Sequence, residues 1–291
     1  MLVEMAIGDA YGAAFEFMSP EFIARENDLS GYKCNPETRL GDGRYTDDTQ
    51  MAVAIAEHLL SGAPADTETL AGYFVRTFRR DERRGYSKRL FAVLQAAENA
   101  GDFLSSIVPS SDRSGAAMRA SPIGLLPDLD QVLALARLQA SITHDTDGGR
   151  MSASAIAVMV HYLAHALGPR GDLGAFLEVH VPGHVWSRPW SGPTSMAGID
   201  CAHAAISLVM SAQTQSGLLK SAIALGGDTD TVAAMAMFSA SLCQDIASDL
   251  SPVFYDTLEN GLYGLDFLRR LDAKLLDLRA ADYATTAKRP S

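Results

Sequence analysis

Cysteine is scarce in this sequence, and basic residues are outnumbered by acidic ones. The three cysteines, Cys34, Cys201 and Cys243, have no CxxC spacing, and their odd number argues against a disulfide framework. Lys and Arg number 24 against 35 Asp and Glu, which gives a net charge of -11. Because nucleic-acid phosphates are bound by basic patches, this charge balance argues against nucleic acid as a partner. The most basic stretch, residues 76–89, is interpreted as a solvated helix end that could also meet a phosphate.

Long apolar runs, targeting segments and linkers are also missing. No uncharged apolar run reaches the roughly 18 to 20 residues of a membrane span. The first residues, MLVEMAIGDAYG, lack the basic region of a signal peptide. No stretch rich in Pro, Gly or Ser divides the chain. We therefore expect a cytoplasmic protein with no membrane partner and one domain over residues 1–291, with a disordered tail at 281–291.

Alternating strand patterns are nearly absent, whereas apolar residues recur at helical spacing in many segments. The sequence therefore predicts an all-α fold, with irregular segments at 30–46, 103–127 and 181–195. The predicted helices are 49–61, 66–80, 88–100, 128–142, 150–167, 196–212, 216–225, 230–246 and 258–280.

Two predicted helices begin with clustered acidic residues. The motif TDDT, residues 46–49, precedes an apolar run, and the motif DTDT, residues 228–231, precedes an uncharged one at 232–238. A helix that is apolar all round is buried, so the carboxylates at its start are expected to lie near the interior. Clustered buried carboxylates repel one another and are costly to charge. Either nearby Arg and Lys side chains or metal ions must compensate them.

The two motifs favour a metal site. Carboxylate and hydroxyl oxygens suit hard cations such as Mg²⁺ or Mn²⁺, whereas zinc would favour His or Cys. Two carboxylate clusters can hold two ions about 3.5–4 Å apart. The alternative is that both motifs only cap their helices, because Asp and Thr oxygens accept the free N–H groups of a first turn.

Five segments together resemble the ADP-ribosylglycohydrolase family, which includes dinitrogenase reductase-activating glycohydrolase and the eukaryotic ADP-ribosylhydrolases. The segments are AIGDAYGAAFEF, YTDDTQMAVAIAEHLL, SGAAMR, ITH and ALGGDTDTVAA, in that order. The resemblance implies an all-α orthogonal helical bundle with a binuclear centre of two Mg²⁺ or Mn²⁺ ions at helix N-termini. It also implies hydrolysis of an ADP-ribosyl bond, with an ADP-ribosylated protein or small molecule as substrate and ADP-ribose as product.

The resemblance also assigns roles to individual acidic residues. Glu16 matches a glutamate of the family pattern GDxxGxxxE and is the candidate general acid or base, with Asp48 and Asp230 as further catalytic candidates. Asp9, in the same pattern, is expected to support the site rather than bind metal. The implied metal ligands are Thr46, Asp47, Asp48, Asp228, Asp230 and Thr231.

Three segments, of which only residues 85–87 are not among the five above, match family positions that line the ligand. The implied ligand-binding residues are Gly85, Tyr86, Ser87, Ser114, Gly115, Met118, Arg119 and His144. Ser114 stands where the family usually has asparagine, which shortens any reach toward the ligand. A Gly-Tyr-Val segment that stacks on adenine in relatives is replaced here, and Trp186 or Trp190 could supply the aromatic face instead. The motif THDTDGG, with Asp145 and Asp147, is interpreted as a pair of helix caps.

The implied function is a metal-dependent ADP-ribosylhydrolase acting on protein arginine. The acceptor could also be serine, a nucleobase or a small molecule, because acceptor contacts would come from the loops 103–113 and 181–195. A non-catalytic ADP-ribose-binding protein on the same scaffold is the main alternative. An all-α metal phosphohydrolase is a third, but it would need His-Asp ligand pairs, which only residues 143–145 supply.

Overall fold

The computed structural model describes residues 1–286 and confirms the all-α prediction, with no β-strand in that range. The α-helices are α1 Leu2–Gly12, α2 Pro20–Glu26, α3 Asp47–Ser61, α4 Thr67–Arg80, α5 Lys88–Ala96, α6 Ala100–Ser106, α7 Leu129–Ser141, α8 Asp147–Ala164, α9 Leu173–His180, α10 Gly198–Ser211, α11 Gln215–Leu225, α12 Thr229–Ala240, α13 Pro252–Asp256 and α14 Leu265–Thr286. Short 3-10 helices lie at Ser114–Ala116, Ser121–Leu125 and Arg170–Asp172.

Each predicted helix overlaps an observed one, but α1, α2, α9 and α13 were not predicted. Helix α6 shares only Ala100 with the predicted helix 88–100 and extends into the segment 103–127, so the prediction that all of 103–127 is irregular was wrong. The segment that forms α1 contains Gly8 and Gly12, which disfavour a helix by about 1 kcal/mol each relative to Ala. The last helix starts at Leu265 rather than at 258, after a turn that contains Gly261 and Gly264. It continues into the segment 281–291, of which residues 287–291 lie outside the described residues.

The centre of the molecule is the packing of α1 along α12. Every residue of α12 is buried, and Glu4 alone in α1 is not. A Cβ at Gly8 would lie 2.6 Å from the Ala233 carbonyl oxygen, and one at Gly12 would lie 2.5 Å from the Asp230 Cα. Only glycine therefore allows the two backbones to approach this closely. The packing places the end of α1 beside the start of α12.

Within residues 1–286, no helix has the combination of length and hydropathy that a transmembrane span requires.

Candidate metal centre and ligand cavity

Helix α3 is capped by a threonine, so its two aspartates are not needed as caps. Thr46 is the N-cap residue, and its hydroxyl oxygen accepts a hydrogen bond from the Asp48 backbone N–H at 3.4 Å. The side chains of Asp47 and Asp48 are nevertheless buried. Capping therefore does not explain why two carboxylates occupy the first turn.

Asp9 holds the start of α3 in place from α1. Its carboxylate accepts hydrogen bonds from the Thr46 hydroxyl at 2.8 Å and the Thr49 hydroxyl at 2.7 Å, and also from both backbone N–H groups. Burial raises the pKa of Asp9 to about 6, although these hydrogen bonds act in the opposite direction. This arrangement matches the supporting role expected of Asp9.

The start of α12 is built differently. Asp228 is its N-cap residue but makes no side-chain capping bond. Instead, its Oδ2 accepts hydrogen bonds from the Ser114 hydroxyl at 3.0 Å and the Cys201 thiol at 3.4 Å. Burial, followed by the charge of Asp228, holds the pKa of the Cys201 thiol well above its usual value. The Asp230 Oδ1 accepts from the Thr231 backbone N–H at 3.0 Å.

The turn after α1 brings a third acidic segment to the same place. One carboxylate oxygen each from Glu16, Asp228 and Asp230 lies within 4.8 Å of the others. The close packing of Gly12 against Asp230 positions Glu16 here. Glu16 is therefore close enough to Asp228 and Asp230 to share a cation with them. The sequence had not indicated that these three residues lie together.

The acidic groups of this cluster are hard to ionise together. Burial, reinforced by neighbouring carboxylates, raises the pKa of Asp47, Asp48 and Asp230 well above its usual value. Burial and the charges of Asp228 and Asp9 raise the pKa of Glu16 to about 7. Among the described residues, none of these groups forms a salt bridge. Of the two ways to compensate the cluster, Arg and Lys pairing is therefore not the one used.

The donor set fits a hard cation. Asp48 Oδ1 is buried and has no hydrogen-bond partner among the described residues. An unpaired buried carboxylate oxygen is costly unless a ligand or ion satisfies it. All oxygens in the cluster come from carboxylates and threonine hydroxyls, which Mg²⁺ and Mn²⁺ prefer. The residues present therefore fit such an ion.

The cluster forms one wall of a cavity of about 630 Å³. The predicted site residues that line it are Glu16, Asp47, Asp48, Gly85, Ser87, Ser114, Gly115, Met118, His144, Asp228, Asp230 and Thr231. Three predicted residues do not line it: Thr46, Tyr86 and Arg119. The cavity thus joins most of the acidic and ligand-binding positions that the sequence suggested.

Thr46, Tyr86 and Arg119 do not line the cavity but hydrogen-bond to neighbouring residues around it. Thr46 bonds Asp9, and the Tyr86 hydroxyl donates to the Gln50 side-chain oxygen at 2.6 Å. The buried guanidinium of Arg119 donates to the Gly115 carbonyl oxygen at 2.8 Å and therefore holds the loop rather than facing the cavity.

His144 is held in one orientation by a hydrogen-bonded chain. Arg119 donates to the Thr143 hydroxyl oxygen at 2.8 Å, and that hydroxyl lies 2.6 Å from His144 Nδ1. Burial, followed by the charge of Arg119, lowers the pKa of His144 to about 3, so the ring is neutral. If the Thr143 hydroxyl donates to Nδ1, the ring hydrogen lies on Nε2 and is available to a ligand.

The rest of the lining was not predicted residue by residue. It includes three exposed cations, Lys88, Arg89 and Arg113, none of which has an ion-pair partner within residues 1–286. It also includes the apolar residues Leu90, Ile107, Val108 and Met196. The basic composition of 76–89 pointed to the first two cations, and the loop 103–113, which was expected to contact the acceptor, contains Ile107, Val108 and Arg113. No sequence signal identified Leu90 or Met196.

Neither tryptophan supplies the aromatic face suggested from the sequence. Trp186 is fully buried and donates to the Val181 carbonyl oxygen, while Trp190 packs against His203. Neither lines the cavity, whose only described ring is the imidazole of His144. The loop 181–195, expected to contact the acceptor, contributes no lining residue.

The two aspartates of the third acidic motif do not line the cavity, although Thr143 and His144 of the same motif do. Thr146, not an aspartate, caps α8 by accepting from the Gly149 N–H at 3.0 Å. Asp145 and Asp147 instead form exposed ion pairs with Arg150. The cap interpretation was therefore wrong in its residues, although the motif stays separate from the acidic cluster.

Several known proteins are similar to this chain in sequence. Over 254 residues, the chain is 28% identical to an ADP-ribosyl-dinitrogen reductase glycohydrolase from Rhodospirillum rubrum, and the match covers 80% of each protein. Over 170 residues, it is 29% identical to the ADP-ribosylarginine hydrolase Tri1 of Pseudomonas putida, with 55% of this chain and 44% of the relative covered. The chain spans about half the length of several curated relatives that it matches.

A solved structure described as an ADP-ribosylglycohydrolase-related protein complex has the same fold. The TM-score is 0.69 at 23% identity, and the match covers 96% of this chain and 95% of the other. The sequence model of the ADP-ribosylglycohydrolases matches residues 1–236, most of the chain. The chain therefore belongs to the ADP-ribosylglycohydrolase family.

Proposed function

We propose that this protein is a metal-dependent ADP-ribosylhydrolase that cleaves the glycosidic bond between ADP-ribose and an arginine side chain. The observation that carries the proposal is an acidic cluster, buried except for the half-buried Glu16, that forms no salt bridge within residues 1–286 and lies on the wall of a ligand-sized cavity. We assign two Mg²⁺ or Mn²⁺ ions to it. The proposed ligands are Thr46, Asp47, Asp48, Asp228, Asp230 and Thr231.

The positive charges that line the cavity, besides the acidic cluster, support an anionic substrate. Lys88, Arg89 and Arg113 are cations without an ion-pair partner in the described part of the chain, and they lie on a cavity of a protein whose net charge is -11. A volume of about 630 Å³ lies in the range of pockets that enclose small-molecule ligands. A diphosphate would meet the cations, while ribose hydroxyls would meet the acidic wall.

Glu16 is the proposed proton-transfer group. Its pKa of about 7 allows it to exchange a proton near neutral pH. Cleavage at the ribose anomeric carbon develops oxocarbenium-like charge, which neighbouring carboxylates stabilise. Bound Mg²⁺ or Mn²⁺ would supply Lewis acidity and a water of lowered pKa. His144 would donate a hydrogen bond from Nε2 to the substrate.

Arginine is proposed as the acceptor because the Tri1 relative is named for ADP-ribosylarginine. Other relatives carry the name ADP-ribosylhydrolase ARH3, which states no acceptor, so serine, a nucleobase and a small molecule stay alternatives for the acceptor. We also propose a cytoplasmic location, with which three free cysteines agree.

The direct test is release of free ADP-ribose from ADP-ribosylarginine protein, measured with Mg²⁺, with Mn²⁺ and with EDTA. Serine-linked substrate is tested in parallel. Release from the arginine substrate only with metal is the expected result. Release from the serine substrate alone would keep the reaction and change the acceptor. Metal-dependent binding of ADP-ribose without any release would favour a non-catalytic binding protein.

The stabilisation by metal is expected to depend on pH. The folded-state pKa of Glu16, about 7, and of Asp9, about 6, is higher than the pKa of the same group in the unfolded chain. Each group therefore contributes its full stabilisation only at a pH below its unfolded-state pKa. That contribution is lost as pH rises through the folded values, so the metal-free protein should be less stable at about pH 7.5 than at about pH 5.5. Thermal unfolding with EDTA and with Mn²⁺ at both pH values measures this. Mn²⁺ should raise the Tm more at the higher pH, and equal shifts would contradict the expectation.

A further inference from the structure

Asp228 is held by two side-chain donors that come from outside the two acidic motifs. Both donors, the Ser114 hydroxyl at 3.0 Å and the Cys201 thiol at 3.4 Å, meet the same oxygen, Oδ2. The other oxygen, Oδ1, has no hydrogen-bond partner within residues 1–286. The carboxylate is therefore asymmetric, with one oxygen occupied by the protein and one left free.

The backbone of Asp228 is fixed as well. Its N–H donates to the Thr194 hydroxyl oxygen at 3.1 Å, and Thr194 is itself buried. The preceding Gly227 lies against Thr194 so closely that a Cβ would be 1.9 Å from the Thr194 carbonyl oxygen. The backbone cannot therefore shift to reorient the side chain, so rotation of the carboxylate is the freedom that remains.

We infer that Cys201 and Ser114 are positioning residues that lock the Asp228 carboxylate in the orientation that presents Oδ1 to a divalent cation. The inference rests on the proposed metal site. Neither residue needs to touch the cation, because each acts through Oδ2. Ser114 and Cys201 come from the short 3-10 helix Ser114–Ala116 and from α10, so two elements that contribute no acidic residue to the cluster would control one ligand.

The chemistry of the two donors suits this task. A thiol is a weak hydrogen-bond donor and a hydroxyl a stronger one. Together they satisfy Oδ2 and leave more negative charge on the carboxylate than a charged donor would. Cys201 also lies 3.3 Å from the Ser195 carbonyl oxygen, so its single hydrogen has a second acceptor. A serine at 201 would keep a donor in almost the same volume, whereas an alanine would remove it.

Outer contacts that orient metal ligands typically change metal affinity by 10- to 100-fold. We expect Cys201→Ala and Ser114→Ala each to weaken Mn²⁺ binding by roughly that factor. Cys201→Ser should retain most of the affinity. A residue that serves only to pack α10 would lower thermal stability in both Cys201 variants without this difference.

The test is a Mn²⁺ titration of each full-length variant, followed by the electron paramagnetic resonance signal of free Mn²⁺. Thermal unfolding in EDTA reports separately on the fold, and Cys243→Ala, away from the cavity, is the matched control.

Weaker binding in Cys201→Ala with recovery in Cys201→Ser supports the inference. Wild-type affinity in both alanine variants overturns it. If Cys201→Ala does not fold, Ser114→Ala decides alone. Turnover is measured apart, so Mn²⁺ binding without turnover in the wild type would count against the proposed function and not against this inference.

Discussion

Asp230→Asn is expected to lose Mn²⁺ binding and nearly all ADP-ribose release while the protein stays folded. The substitution keeps the size of the side chain but removes one charge from the group formed by Glu16, Asp228 and Asp230. The loss in turnover should exceed the roughly 10- to 100-fold that an outer contact costs. Because burial and nearby carboxylates raise the pKa of Asp230, removing its charge should also relieve repulsion in the metal-free protein. At neutral pH, its Tm in EDTA should therefore equal or exceed that of the wild type.

The sequence provides a matched control for this substitution. Asp147 belongs to a similar acidic motif but is exposed, pairs with Arg150 and does not line the cavity. Asp147→Asn should leave Mn²⁺ affinity, turnover and stability unchanged. Asp48→Asn should behave like Asp230→Asn, since Asp48 carries the buried oxygen without a partner. Full activity in either site variant would remove that residue from the proposed metal ligands.

Gly85→Ala is expected to abolish metal binding although it replaces no acidic residue. Gly85 has φ +108°, which side chains rarely adopt, and a Cβ there would lie 2.0 Å from Asp47 Oδ1. The surrounding loop cannot retreat easily, because Arg83 is ion-paired with Glu259. Asp47 must therefore move. Strain of this kind costs of order 1–3 kcal/mol, which a fall in Tm would register beside the loss of Mn²⁺ binding.

Gly62→Ala separates backbone strain from the collision. Gly62 ends α3, the helix that Asp47 begins, and has φ +66° with nothing within 4 Å of an added Cβ. This variant should lose about 1 kcal/mol of stability and keep its metal affinity. If Gly62→Ala and Gly85→Ala lose stability equally and both bind Mn²⁺ normally, Asp47 is not needed in the position that the structure gives it.

The two acidic motifs were predictable because the signal is local. TDDT and DTDT stand directly before helices, and four polar residues in a row ahead of an apolar run leave few structural alternatives. Their meeting at one cavity, and the lining roles of Gly85 and His144, followed from a resemblance rather than from spacing. The residues' roles in metal binding and catalysis stay predictions, as does the single domain.

Contacts between residues that are far apart in the sequence could not be predicted from local sequence patterns. Ser114 and Asp228 are 114 positions apart, and no pattern in the sequence links either to the Cys201 thiol. Helix α1 was missed because Gly8 and Gly12 lower its helical propensity, although the fold needs both glycines to reach α12. Arg119 matched a ligand-binding motif, yet its buried side chain serves the loop that carries Gly115. A sequence motif can therefore identify the segment that contributes to a site. It does not identify which side chains of that segment face the cavity.

The packing of α1 on α12 has a consequence for how the chain folds during synthesis. The Thr229 hydroxyl donates to the Gly12 carbonyl oxygen at 2.9 Å across a separation of 217 residues. During synthesis the buried apolar residues of α1 therefore lack their main partner until α12 emerges. Contacts of such long range form late and slow the search for the native state. During that interval α1 is the segment that a chaperone would have most reason to cover.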